Sequence, residues 1–123
     1  MYARAALAYR DVDLESAPKA DLVPRLFGRF LDDLERGKAA IAARDIEAKA
    51  AALDHAVRIV VELRACLDHA AAPELCANLD ALYQFVLDQV YVASSSLTVA
   101  PLTNADGVMT QLRDAFVEAR RAP

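Results

Sequence analysis

Four side chains in this sequence carry donor atoms suited to metal or nucleophilic chemistry: His55, Cys66, His69 and Cys76. Structural zinc needs four tetrahedral ligands, generally delivered as two closely spaced pairs. Only Cys66 and His69 are close in the chain, and Cys66 falls at the apolar edge of its helix, where a thiol behaves as a small hydrophobe. No metal site and no cofactor is therefore expected. An exposed histidine on a helical bundle also serves as the phosphoryl carrier of phosphorelay modules, which gives His55 an alternative reading as a signalling site. Such a histidine is typically followed by a lysine and a glycine. Here Ala56-Val57-Arg58-Ile59 follow His55 and three alanines follow His69, so both imidazoles are expected to be solvated. Asp32-Asp33 and the Asp11, Asp13, Glu15 run read as solvated faces and caps, not as a carboxylic acid held protonated beside an ionised partner. Neither a glycine-rich phosphate loop nor a nucleophile elbow is present. The sequence assigns no catalytic residue, and the chain is not expected to be an enzyme.

The elements that must position these groups follow from composition. With 123 residues the chain suits one domain with a shared core. Alanine is its most frequent residue, against three glycines, five prolines and no tryptophan. Alanine is the best helix former, and the β-branched residues do not alternate. An all-α protein is expected. Hydrophobic residues at 56% exclude a disordered chain, yet no run reaches the ~20 apolar residues of a membrane span. The start of the chain has no basic segment followed by a long apolar core, so a soluble, cytosolic protein with reduced cysteines is expected. A net charge of −4 with dispersed lysine and arginine argues against a nucleic-acid partner.

Residues 1–20 read as an N-terminal arm and linker, and 21–123 as the bundle. Tyr2, Leu7 and Tyr9 share a helical spacing that the acidic run and Pro18 then break. Asp21 is a candidate cap for a helix that tolerates Pro24 in its first turn. Leu26, Phe27, Phe30, Leu31, Leu34 and Ile41 give that helix an ordinary one-sided stripe, ending near Arg44. Asp45 caps the next, expected to run to about Ala71. In it Ile46, Leu53, Val57, Val60, Val61 and Leu67 form one stripe, extended by Ile59, Leu63 and Cys66 to an apolar arc of roughly 220°, well beyond a surface helix's width. Such an arc fits either a helix packed on two sides or one that reserves part of its surface for a partner. Pro73 and Glu74 open a further helix with its main stripe at Leu75, Leu79, Leu82, Tyr83, Val86 and Val90, while Phe85 and Val92 point elsewhere. The triple serine at 94–96 weakens this helix and Pro101 interrupts it. A last helix carries Val108, Met109, Leu112, Phe116 and Val117 to a basic end at Arg120 and Arg121. Short connections make neighbours antiparallel. The expected architecture is an antiparallel four-helix bundle with a short N-terminal helical arm.

Several segments, in order, resemble the FliS family of flagellin export chaperones. They are Met1-Tyr2 with Ala8-Tyr9, Ser16-Ala17-Pro18, Leu22 through Leu26-Phe27, Ala39-Ala40-Ile41 with Asp45-Ile46, the block Ala56-x-x-Ile59-x-x-Glu62-Leu63-x-x-x-Leu67-Asp68, then Asn78-Leu79-x-x-Leu82-Tyr83 and Leu112-Arg113-Asp114-x-Phe116. The resemblance covers nearly the whole chain. Departures are Pro24 within a helix that is usually continuous, Ser94 in place of a common asparagine, Pro101 near the last helix, and Phe116 where tryptophan is frequent. The resemblance implies a chaperone that binds the C-terminal helical segment of flagellin, keeps it from polymerising and delivers it to the flagellar type III export gate. It further implies that the arm, through Tyr2, Leu7 and Tyr9, covers part of the client groove when empty. The groove itself is expected to involve Leu53, Val57, Val60 and Val61 with Tyr83, Val86 and Tyr9. Oligomeric state is not fixed by any of these features.

Overall fold

A computed structural model of the chain describes residues 22–121, which form four α-helices: α1 (Leu22–Ala42), α2 (Ile46–Ala65), α3 (Pro73–Ser96) and α4 (Ala100–Arg121). They pack in a closed ring, each on its neighbours in sequence and α4 back on α1. Antiparallel order is visible at every seam. Gly37 of α1 lies against Leu53 of α2; Lys49 near the start of α2 reaches the Ser94 carbonyl near the end of α3; Asn104 early in α4 donates to Gln89 late in α3; and Lys38 late in α1 pairs with Asp106 early in α4. The expected arm, with Tyr2, Leu7, Tyr9 and the Asp21 cap, lies outside the described residues.

The α1–α2 interface is the closest of the four, and the sequence explains why. A Cβ on Gly37 would come within 2.6 Å of Leu53 Cδ2 and 3.3 Å of its Cγ, so the absent side chain lets Leu53 fill that space. Ala40, Ala52 and Ala56 are buried there too. The turn is a left-handed C-cap: Arg44, at φ 55°, follows the end of α1, with Asp45 N–H donating to Ala40 O and Arg44 N–H to Ile41 O. These are the two bonds of a Schellman motif. Asp45 then caps α2 at once, its carboxylate accepting from the Ala48 N–H at 3.1 Å.

Three expected boundaries shift. Helix α1 ends at Ala42 rather than near Arg44, because the left-handed residue is Arg44 itself. Helix α2 ends at Ala65, not about Ala71. Leu67 turns inward and is 2% exposed, the Asp68 side chain accepts from Ala71 N–H, and Pro73 keeps the preceding residue out of helical geometry. The alanines at 70–72 advertise a helix that this local chemistry overrides. Helix α3 continues through Ser96: the Ser95 and Ser96 hydroxyls bond back to Tyr91 and Val92 carbonyls, a compatible if weak arrangement. The interruption before Pro101 is made by Leu97 in the left-handed region at φ 56°, and Pro101 occupies the first turn of α4.

The core runs the length of the ring, with Phe27, Phe30, Leu34, Leu63, Tyr83, Leu102, Met109 and Phe116 fully enclosed. At ~25 cal/mol per Å² of apolar area removed from water, such large side chains dominate the stabilisation. No helix among the described residues is long and apolar enough to cross a membrane.

Candidate functional site

Helix α2 carries an apolar arc wider than its core contact. Its buried residues are Ala52, Leu53, Ala56, Ile59, Val60 and Leu63. At ~100° per residue these centre near Ala56, whereas the stripe of large residues expected from the sequence centres near Leu53 and Val57, roughly 80° away. The two alanines make the difference: close packing on α1 selects the side of α2 that is small as well as apolar. The far edge of the arc is left outward, with Val57 half-buried and Val61 56% exposed.

That edge borders α3. Arg64 Nε donates to Asp80 Oδ1 at 3.2 Å, and its guanidinium also reaches Gln84 Oε1; Gln84 donates in turn to Asp88. Polar bridges thus mark the outer edge of the α2–α3 seam, the least closely packed of the four. Tyr91, 62% exposed, stands on the same flank of α3 as Gln84, one helical repeat on.

The expected groove residues divide. Val57 and Val61 form an accessible strip. Leu53, Val60, Tyr83 and Val86 are each 2% exposed or less, so as the helices stand they are core, because they sit on the inward faces of α2 and α3 and not on their outer edges. Tyr9, Tyr2 and Leu7 lie outside the described residues. Sequence reasoning did not assign Tyr91, although its offset from the Tyr83, Val86, Val90 stripe is a signal that could have found it.

Both histidines are exposed, as expected, at 53% for His55 and 56% for His69, but each also has a carboxylate partner. His55 Nδ1 pairs with Asp33 Oδ2 at 2.5 Å, joining α2 to α1. Asp33, expected to be solvated, is 2% exposed and is also approached by Arg36 at 3.5 Å. Adjacent helical residues point ~100° apart, so Asp32 stays outside while Asp33 turns into the α1–α2 edge. His69 Nε2 lies 3.3 Å from Asp80 Oδ2, tying the 66–72 connection to α3. His55 therefore already has a structural partner, and no observation favours the phosphoryl-carrier reading over it.

Among the described residues no group of three His, Cys, Asp or Glu side chains is placed to hold a metal ion. Neither cysteine is in a disulfide, and Cys76 is fully buried. Burial pushes its thiol up from the ordinary range, with the charges of Asp80 and Asp68 adding to that and a backbone hydrogen bond opposing it. This suppresses the thiolate, the reverse of what a nucleophile requires. A concavity of about 720 Å³ lies between α1 and α2, lined by Ala39, Ala43, Ala48 and Ala51, with Asp33, Arg36 and His55 at one end.

The described features are an exposed apolar edge on α2 and polar bridges along the α2–α3 seam. The family model described as flagellar protein FliS matches residues 1–123. The chain is similar to the flagellar secretion chaperone FliS of Escherichia coli, 29% identical over 129 aligned positions that cover 100% of this chain and 95% of the relative. It is also similar to FliS of Vibrio cholerae, 27% identical with 86% of this chain and 78% of the relative covered. FliSB of Pseudomonas aeruginosa is 26% identical, with 94% and 96% covered. These relatives are flagellar secretion chaperones by name, and with the family model spanning its full length the chain belongs to the FliS family.

Proposed function

We propose that this chain is a cytosolic export chaperone for flagellin: it binds the C-terminal helical segment of the filament protein, prevents premature polymerisation and delivers it to the flagellar type III export apparatus. The observation that carries the reading is the family match over the whole chain, to which the exposed apolar strip on α2 adds a physical means. A client segment that is disordered when free folds as helices against such a strip, and the ordering cost is offset by burial of its apolar face. Val57 and Val61 are the accessible positions, with Tyr91 across the seam, while Leu53, Val60, Tyr83 and Val86 support them from beneath. The arm residues Tyr2, Leu7 and Tyr9 compete with the client, which lowers apparent affinity by the fraction of chaperone left closed.

Two measurements test this. Co-purification is carried out with a flagellin from the same genome and with that flagellin lacking its C-terminal segment. Binding is expected to the first and not the second; equal binding to both, or to neither, overturns the reading. Val61→Glu places a charge on a residue that is already 56% exposed. It should abolish flagellin binding in a titration while the melting temperature stays nearly unchanged, and full retention of binding would remove Val61 from the surface.

A further inference from the structure

The outer face of α3 carries a pattern that the bundle does not use. Asn78, Ala81, Phe85, Asp88, Val92 and Ser95 follow alternating steps of three and four, the spacing of a helix–helix seam. The inward residues of α3 are Cys76, Leu79, Tyr83, Val86, Leu87, Val90 and Ala93. The edge toward α2 is marked by Asp80 with Arg64, and the edge toward α4 by Gln89 with Asn104. The patterned stripe lies between those edges on the solvent side, with Phe85 42% and Val92 49% exposed. The small Ala81 and Ser95 flank Phe85, Asp88 and Val92 along it.

Charge narrows what fits there. The sequence has no lysine or arginine between Arg64 and Arg113, so α3 brings only Glu74, Asp80 and Asp88. Asp80 is engaged by Arg64 and His69. Asp88 accepts from the Gln84 amide, and no described cation pairs with it. Helix burial against this face must therefore supply a cation from the incoming side. A second copy of the same stripe would not do so: α3 carries no lysine or arginine, so a two-fold pairing of the stripe with itself brings two Asp88 carboxylates into a drying interface and no cation for either, which is unfavourable.

We propose that the outer face of α3 is a second docking surface, separate from the Val57–Val61 strip, for an amphipathic helix of a partner protein with large apolar residues opposite Ala81 and Ser95 and a lysine or arginine opposite Asp88. Phe85 and Val92 pack between the partner's apolar side chains, and Asp88 fixes its register.

The test uses the full chain and a labelled helical peptide of about three heptads with leucines along one stripe and a single lysine at its centre, together with the same peptide carrying glutamate there. Fluorescence anisotropy should show binding of the lysine peptide, with the glutamate peptide weaker by about tenfold. Asp88→Lys should invert that preference. Phe85→Asp should remove binding without changing the circular-dichroism melt; if it unfolds the protein, Val92→Asp serves in its place. Val61→Glu should have no effect. The proposal is overturned if the lysine peptide does not bind or if the preference ignores the charge at position 88. It is equally overturned if Val61→Glu abolishes binding or a flagellin C-terminal peptide displaces the probe, since the two surfaces are then one. Self-association of the free chain that Phe85→Asp removes would assign the face to a second copy and also sink it.

Discussion

Cys76 shows how one residue can be chemically silent and still shape stability. Its thiol is enclosed and raised in pKa by burial and by Asp80 and Asp68. In the unfolded chain a cysteine titrates near about 8.5. Folded Cys76 keeps its proton to higher pH, so above that value the unfolded state loses protons first and stability falls as pH rises. Wild type should therefore lose part of its advantage over Cys76→Ala between pH 7 and pH 10, read as a narrowing gap in urea midpoints. Half-buried Cys66 should react with an alkylating reagent well before Cys76, which labels only on opening of the fold. Residue identity alone did not reveal this pattern of burial. Asp32 and Asp33 illustrate the difficulty: the two are chemically identical, and only the helical phase set by Phe30 and Leu34 turns one of them into the α1–α2 edge.

At the scale of elements, both left-handed cap residues are avoidable costs. Arg44 and Leu97 adopt φ 55° and 56°, a region that disfavours a residue with Cβ by roughly 1–2 kcal/mol. Arg44→Gly and Leu97→Gly should each stabilise the protein by about 1 kcal/mol in urea unfolding, in spite of glycine's greater freedom when unfolded. Gly37→Ala should go the other way. Its gain in helix propensity of about 1 kcal/mol is opposed by contact with an enclosed Leu53, and Leu53→Ala in the same chain should relieve the clash, a coupling that a double-mutant cycle measures. Helix number, the Asp45 cap and the Pro73 start were legible because capping and proline chemistry are local, whereas Pro101, read as interrupting α3, stands in the first turn of α4. The working face of α2 was not. Its large apolar residues point toward Val57, but the core takes Ala52 and Ala56, and nothing within α2 announces that Gly37 on another helix makes small side chains the better fit.

For the whole molecule, the wide apolar arc of α2 had two readings, a helix packed on both sides or one keeping a surface free. The ring makes both true in part: α1 and α3 take most of the arc, and Ile46, Val57 and Val61 are left wholly or partly outside. The bundle itself was visible in composition and periodicity. Which apolar positions are surface could not be, since Leu53, Val60 and Val61 are equivalent by type and differ only in which neighbour reaches them. Outer faces thus carry distinct apolar strips, on α2 and on α3, that a chain used only for its own core would not be expected to expose.

The unequal seams also imply an order of events in time. Helices α1 and α2 are joined by a three-residue turn whose caps satisfy one another, and their interface is the closest in the ring. Contacts between neighbours in sequence form at low entropic cost and fast. This hairpin is therefore the expected folding nucleus. The α2–α3 seam closes late. Leu53→Ala should mainly slow refolding, whereas Arg64→Ala, which removes the bridges at that seam, should mainly speed unfolding, a contrast visible in the two arms of a chevron plot. A protein built in this order has its weakest closure beside the surface that is proposed to hold the client.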